Sequence, residues 1–247
     1  MRLLTTGSAK LEKGSKFGWF NAALYLSPAT LSGTNFCSHS TQGCRIACLN
    51  IAGRGGVAKG GRLTYNDLMD GRSNRIQKAR LRRSDFFLLD RKGFCETLFK
   101  DFESLKAKAD GLKLKPALRL NGTSDLDWFG IFSSVGLNLH AKLHSLGIEH
   151  YEYTKVPNRW RGFGPTRWTF SLSEHPKSEE WAEGYLKNGH NVAVVARQKT
   201  AFFPIMGRDY PTIDGDEHDL RFADPTGVVV LLKPKGWAKH DTTGFVK

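Results

Sequence analysis

The sequence of 247 residues contains no uninterrupted apolar run of the length, about 18 to 20 residues, that a membrane-spanning helix requires. Its start, MRLLTTGSAKLEKGSK, becomes polar too early for the apolar segment of a signal peptide. Internal repeats and low-complexity tracts are absent, as are the phosphate-loop pattern G-x-x-x-x-G-K-[ST] and the nucleophile pattern G-x-S-x-G. We therefore expect a cytoplasmic protein without a membrane partner.

Acidic residues are scarce. Asp and Glu number 24 against 37 Lys and Arg, which gives a net charge of +13. Such an excess favours nucleic acid or another polyanion as a partner. Apolar residues make up 40% of the chain and include 16 Phe and 6 Trp, so a folded core is expected rather than disorder.

Strand-like and helix-like segments alternate along most of the chain. Apolar runs predict strands at 17–29, 115–125, 150–156, 167–174, 191–197 and 227–236. Helical spacing predicts a basic helix over 65–83 and further helices over 84–109, 127–146 and 178–189. This alternation predicts a single α/β domain over 1–247, with a mainly parallel, (β/α)-barrel-like sheet and a cysteine-bearing loop after its first strand.

Ligands of such sheets bind at the carboxyl ends of the strands, so the polar residues there are candidate site residues. We predict catalytic roles for Asn121, Asp125 and Lys155, and substrate binding by Arg119, Ser124 and Ser171. A turn in which Ser124 or Asp125 merely caps the next helix is the alternative.

Three of the four cysteines, Cys37, Cys44 and Cys48, lie in a polar, glycine-rich loop over 31–56. In a reducing compartment such clustering indicates metal or redox chemistry rather than disulfides. One helical turn would put the thiolates of Cys44 and Cys48 on one face, and Cys37 could close over them. We predict that the three thiolates hold an iron–sulfur cluster, with [4Fe–4S] favoured. A three-cysteine zinc site and three unrelated buried thiols are the alternatives.

The spacing of these cysteines differs from both a C-x-x-C zinc ribbon and the Cys-x3-Cys-x2-Cys loop of radical S-adenosylmethionine enzymes. The fourth cluster ligand is left open between Cys95, His39 and an exogenous group. Cys95 lies within a predicted helix beside Phe94, so we expect it to be a small core residue.

Two segments have concentrated charge. The basic residues from Arg72 to Arg83 either bind phosphates or form a solvated helix face. The predicted acidic loop over 207–225 lacks the pattern of a calcium loop, so salt bridges to cations such as Arg221 or Lys233 are expected there instead.

The chain resembles the phage gene product 88-like family. The resemblance is carried by YLSPATLSGTNFCSHSTQGCRIACLNIAGRGG, ARLRRSDFFLLDRKGF, LRLNGTSDLDW, YEYTKVPNR, FSLSE, NVAVV, IDGDEHDLRFADP and GVVVLLKPKG, in this order along nearly the whole chain. It implies a bacteriophage protein in the cytoplasm of the infected host cell, with the cysteine loop near its start. Cys37, Cys44 and Cys48 fall within the family motif, whereas Cys95 stands where an apolar residue is expected.

Three functions are therefore considered, of which the third is a structural phage component that assembles with other phage proteins. The first is an iron–sulfur protein with redox or radical-type small-molecule chemistry. The second is a zinc-stabilised nucleic-acid-binding protein that contacts phosphates through Arg72 to Arg83.

Overall fold

The main sheet collects strands from the whole length of the chain. The computed structural model describes residues 2–7, 9–161 and 166–247. Its strands are β1 (Leu4–Thr5), β2 (Trp19–Leu24), β3 (Val57–Ala58), β4 (Gly61–Arg62), β5 (Lys115–Arg119), β6 (Glu149–Thr154), β7 (Arg167–Ser171), β8 (Asn191–Val195), β9 (Phe202–Ile205), β10 (Arg208–Asp214) and β11 (Val229–Leu232). Nine of them form one sheet in the order β1-β2-β5-β6-β7-β8-β11-β10-β9, and β3 pairs with β4.

The sheet is mainly parallel. Strands β2, β5, β6, β7, β8 and β11 lie side by side in chain order, and each pairs in parallel with the next. Among the described strands of this sheet, only the edge strands β1 and β9 pair antiparallel with their neighbours. These observations confirm the predicted α/β class and mainly parallel sheet. Barrel closure is not seen in the described residues, because β1 and β9 lie at opposite ends of the strand order.

Helices connect most of the parallel strands. They are α1 (Ala9–Glu12), α2 (Gln42–Ile46), α3 (Tyr65–Met69), α4 (Arg75–Leu89), α5 (Arg91–Gly111), α6 (Trp128–Ser134), α7 (Leu139–Ser145) and α8 (Ser178–Lys187). Within the residues that the structure describes, no helix combines the length and the apolar character needed to cross a membrane.

The predicted basic helix over 65–83 is wrong in its extent, because the segment belongs to two helices. Gly71 adopts a left-handed conformation with φ of 85° after α3. The side chain of Asn74 then caps α4 by accepting the backbone N–H groups of Ile76 and Gln77, each at 2.9 Å.

The predicted helix over 84–109 is also wrong in its extent. Helix α4 ends at Leu89, and Asp90 begins α5 by accepting the Gly93 N–H at 2.8 Å. The apolar spacing hides this break because Phe87 and Phe94, on either side of it, enter the same core. The predicted helix over 127–146 is likewise divided into α6 and α7, with Gly136 in a left-handed conformation between them.

The acidic segment 207–225 is not a loop throughout, because Arg208–Asp214 form strand β10 between β9 and β11. The salt bridges expected there are present. Arg221 pairs with Asp224 at 3.2 Å, and Lys235 pairs with Asp216 at 2.7 Å. Lys233 contacts Asp216 through its backbone N–H rather than its ammonium group.

The core lies between the sheet and the helices. An aromatic group that includes Phe87, Phe94, Trp128 and Phe132 packs α4, α5 and α6 onto β2 and β5. A second group packs α8 onto β7, β8 and β11. Side chains alternate between the two faces of a strand, so Leu118 enters the aromatic core while Arg119 faces the opposite side.

Candidate functional site

A cavity of about 210 Å³ lies at the carboxyl ends of the parallel strands, and we call it the thiol cavity. Its lining contains all nine residues predicted as site residues: Cys37, Cys44, Cys48, Arg119, Asn121, Ser124, Asp125, Lys155 and Ser171. The expectation that polar residues at the carboxyl ends of the parallel strands lie close together is therefore met. Their chemical roles stay predictions.

The segment that carries Cys44 and Cys48 folds through local capping. Thr41 caps the short helix α2, and its Oγ1 accepts the backbone N–H of Cys44 at 3.3 Å. Cys48 follows one turn later, and its Sγ accepts the N–H of Asn50 at 3.5 Å. Helix α2 is the helical turn expected within the cysteine loop, but it ends at Ile46 before Cys48, and 3₁₀ turns follow at Leu49–Ile51 and Gly53–Gly56.

Cys37 reaches the cavity from the turn after β2. Its Sγ lies 3.4 Å from the backbone nitrogen of Ala29 and 3.7 Å from the carbonyl oxygen of Thr123. Thr123 belongs to the turn after β5, so this thiol lies where two neighbouring strands end.

Glu174 anchors the cysteine loop to the segment that follows β7. Its carboxylate accepts the Thr41 hydroxyl at 2.7 Å and the Gly43 N–H at 2.6 Å. A carboxylate at the N-terminus of α2 satisfies free N–H groups there and complements the helix dipole. The sequence places Glu174 after the β7 strand, but nothing in the sequence pairs it with residues 41–43.

Gly43 permits a close approach of the C-terminal segment. A Cβ at this position would lie 2.1 Å from Oγ1 of Thr243 and 2.8 Å from Cβ of Phe245. Phe245 also lines the thiol cavity. Sequence reasoning missed this segment, because residues 241–247 carry no periodic pattern or motif.

The three thiols have an environment that opposes their ionisation while no cation is bound. Burial raises the pKa of Cys37, Cys44 and Cys48, that of Cys48 to about 12. Repulsion from Cys48 and Cys44 raises the pKa of Cys37 further, while the Lys155 ammonium opposes the rise at Cys44. All three thiols line the same cavity.

Asp125 links the turn after β5 to the end of β6. Its carboxylate accepts the Thr154 hydroxyl and the Lys155 N–H, each at 2.8 Å, and lies 3.5 Å from Nη2 of Arg159. Burial nevertheless raises the pKa of Asp125. Arg159 was missed from the sequence, where it follows β6 without a motif around it.

Asn121 and Ser124 form the turn itself. Oδ1 of Asn121 accepts hydrogen bonds from the Ser124 hydroxyl, the Leu126 N–H and the Trp128 indole, at 2.9 to 3.1 Å. The side-chain amide of Asn121 donates to the Leu126 carbonyl at 3.1 Å. Both predicted site residues therefore have polar atoms that already bind the turn. The capping alternative is wrong, because Asp127 rather than Ser124 or Asp125 caps α6 by accepting the Gly130 N–H at 3.2 Å.

Arg119 forms a buried ion pair on the strand side of the cavity. Its Nη1 donates to Asp219 at 3.0 Å, and its guanidinium carbon lies 5.4 Å from the centre of the Tyr153 ring. Burial alone would lower the pKa of Arg119, but the Asp219 carboxylate and the adjacent tyrosines raise it. Asp219 lies within the acidic segment, which explains part of the local charge reversal there.

Lys155 and Ser171 meet at the ends of β6 and β7. The Lys155 ammonium donates to the Ser171 carbonyl at 3.2 Å and lies 5.0 Å from the centre of the Phe245 ring. The hydroxyl of Ser171 therefore takes no part in this contact.

The candidate fourth ligands Cys95 and His39 are not part of the cavity lining. Cys95 is fully buried in the aromatic core, as expected of a small core residue. His39 bonds to the Ser38 hydroxyl at 3.0 Å and lies against the ring of Trp181. In residues 2–7, 9–161 and 166–247, no group of three His, Cys, Asp or Glu side chains is arranged to hold a metal ion.

The fold and the site together define an α/β protein with three converging thiols at the carboxyl edge of a parallel sheet. The family model of Gene product 88 matches residues 2–247, so the chain belongs to this phage gene product family. No curated protein and no solved structure gave a match.

Proposed function

We propose that the protein binds an iron–sulfur cluster, with [4Fe–4S] favoured, through Cys37, Cys44 and Cys48. The observation that carries the proposal is the convergence of three cysteines from a polar loop on one cavity. Thiolates are the ligands of such clusters. Burial raises the pKa of each thiol, so the thiolate form requires a bound cationic centre to balance its charge.

The alternative to a cluster is a single zinc ion. A tetrahedral zinc site with Zn–S bonds of about 2.3 Å holds its sulfur ligands about 3.8 Å apart. A cluster of several irons and sulfides is larger than one ion, so its thiolates lie further apart. The metal and sulfide content of the protein distinguishes the two.

Redox or radical-type chemistry on a small molecule follows as the proposed activity. A bound cluster supplies one-electron chemistry, and three protein ligands leave one iron of a four-iron cluster open to another group. Asp125 and Lys155 supply an acidic and a basic group beside the thiols. The six parallel strands in chain order support an incomplete (β/α)-barrel around this cavity.

Iron, zinc and acid-labile sulfide per chain, measured on protein purified without oxygen, test the proposal. We expect about four irons and four sulfides per chain with the visible absorbance of a cluster. One zinc per chain without sulfide would indicate a structural zinc site instead of a cluster. If iron, zinc and sulfide are all absent, even from protein that has been reconstituted with iron and sulfide, the proposed metal centre is rejected.

A basic surface favours the second candidate, a nucleic-acid-binding protein. Residues 45–83 contain ten Arg and Lys against two Asp, which accounts for +8 of the net charge of +13. The exposed cations on this surface are Arg54, Lys59, Arg62, Arg72, Arg75, Lys78 and Arg82. Arg80 is not available to phosphates, because its guanidinium contacts the Asn50 carbonyl at 2.9 Å and the Tyr25 ring.

DNA and RNA retention as a function of salt tests this candidate. Binding through phosphate contacts should fall by orders of magnitude between about 50 and 200 mM salt. Charge reversal at Arg75 and Lys78 should abolish most of the nucleic-acid binding. Retention that is insensitive to salt and to these changes would show that this surface does not bind nucleic acid.

A further inference from the structure

The thiol cavity contains more positive charge than its own acidic groups balance. Among its lining residues Arg119, Lys155, Lys233 and Lys235 are cationic, and Asp125 is the carboxylate. Asp125 is already held by Thr154, by the Lys155 N–H and by Arg159. The excess positive charge is therefore not neutralised by carboxylates among the lining residues of the cavity.

The four cations differ in their partners. Lys235 is paired with Asp216 at 2.7 Å. The ammonium groups of Lys155 and Lys233 have no carboxylate at ion-pair distance in the part of the chain that the structure describes. One N–H of Lys155 donates to Ser171, so two of its three donors are left for a ligand.

Arg119 provides a buried positive charge at the same cavity. The residue is 5% exposed, and Nη1 is committed to Asp219. Its Nε is buried and has no hydrogen-bond partner among the described residues, but an atom without accessible surface is out of reach of a ligand in the cavity. Arg119 therefore contributes positive charge to the cavity wall rather than a free donor.

We propose that the thiol cavity binds a small anionic ligand through a carboxylate or phosphate group, which contacts the ammonium groups of Lys155 and Lys233, with the Arg119 guanidinium adding positive charge deeper in the cavity wall. Guanidinium and ammonium groups are the usual partners of both oxyanions. The volume of about 210 Å³ is below the range of about 300–1,000 Å³ for drug-sized ligands, so the ligand is small. The inference names the substrate class of the proposed function, yet it requires only the cavity and its cations.

Titration of the full chain, purified without oxygen, with inorganic phosphate and separately with malonate tests the inference by calorimetry. Chloride keeps the ionic strength constant, because screening alone changes protein stability. Saturable binding of phosphate alone indicates a phosphoryl ligand, and of malonate alone a carboxylate ligand. Binding of both indicates a site that accepts either group. Absence of saturable binding of both anions overturns the inference.

Variants locate the binding. We expect Lys155→Met and Lys233→Met each to weaken binding about 10-fold, as for loss of one charge-assisted contact. Lys92→Met, which changes an exposed lysine on α5 outside the cavity, should leave the affinity unchanged. Equal weakening in all three variants, or in none of them, overturns the assignment to the cavity.

Iron and sulfide assays on the same samples separate this inference from the proposed cluster. Anion binding by protein that holds no iron supports the anion site and counts against the cluster. A cluster in protein that binds neither anion supports the cluster and rejects the anion site.

Discussion

Cys95 and Cys44 lie in two regions that the chain builds in different ways. Cys95 belongs to α5, a continuous helix of 21 residues, and packs beside Phe94 and Leu98 in the aromatic core. Cys44 belongs to α2, which has five residues and is held by Glu174, 131 positions away from Gly43. Local periodicity positions the first thiol, whereas long-range polar contacts position the second.

The comparison shows that burial alone does not identify a ligand cysteine. Burial raises the pKa of both thiols, that of Cys95 to about 11. The difference lies in the neighbours, because Cys95 packs against apolar side chains and Cys44 shares a cavity with two more thiols and Lys155. A ligand role is indicated by this polar convergence of thiols.

Replacement of one cysteine in each region is the strongest test of this difference between Cys44 and Cys95. We expect Cys44→Ser to lose nearly all iron and sulfide, because two thiolates cannot retain the cluster. Cys95→Ala should keep the full metal content and cost about 1 kcal/mol of stability through lost core packing. Metal analysis and visible absorbance of the folded variants provide the readout, and an equal metal content in both would remove Cys44 from the ligand set.

The long-range anchor of the cysteine loop can be removed separately. Glu174→Ala deletes two charge-assisted hydrogen bonds and leaves the Gly43 N–H without its acceptor, so the free energy of unfolding should fall by about 3 kcal/mol. Urea unfolding measures the change. The control Glu96→Ala, on the exposed side of α5, should stay within about 0.5 kcal/mol. A loss of similar size in both variants would mean that Glu174 does not anchor the loop.

Much of the sheet could be predicted because its signals are local. The runs NVAVV and VVLL are apolar on both faces, which is typical of interior parallel strands, and the structure has them as β8 and β11. The chain order of such strands determines which of their ends share an edge. This is why Cys44, Asp125 and Lys155 could be placed together without any contact being visible in the sequence.

The remaining features depend on contacts between distant residues. The break at Asp90 is invisible to periodicity, because the apolar positions before and after it enter one core. Strand β10 contains two aspartates and a proline, and it forms because β11 and β9 lie on either side of it. The bond between Glu174 and Gly43 follows only from the finished fold.

Substitutions at two glycines test the difference between a crowded and an open backbone position. Gly43→Ala would push a methyl group into Thr243, Glu174 and Phe245, which should cost about 2 kcal/mol, a usual value for overpacking. Gly184→Ala lies within α8 with nothing near its added methyl group, so it should stabilise the protein by about 0.5 to 1 kcal/mol. Chemical unfolding of both variants measures these changes, and a neutral Gly43→Ala would show that the C-terminal segment is not packed against the loop.

The smallest expected effect concerns the pH dependence of the metal-free protein. Burial raises the pKa of Cys48 from about 9 to about 12, so above pH 9 the unfolded chain releases a proton that the folded chain keeps. Stability is therefore lost as the pH rises, at up to about 1.4 kcal/mol per pH unit for one thiol. Between pH 9 and 10 the free energy of unfolding of Cys48→Ala should fall by about 1 kcal/mol less than that of the unchanged protein. Buried tyrosines such as Tyr153 contribute equally to both proteins and cancel in the difference. Parallel pH profiles would show that the Cys48 thiol is solvated when no metal is bound.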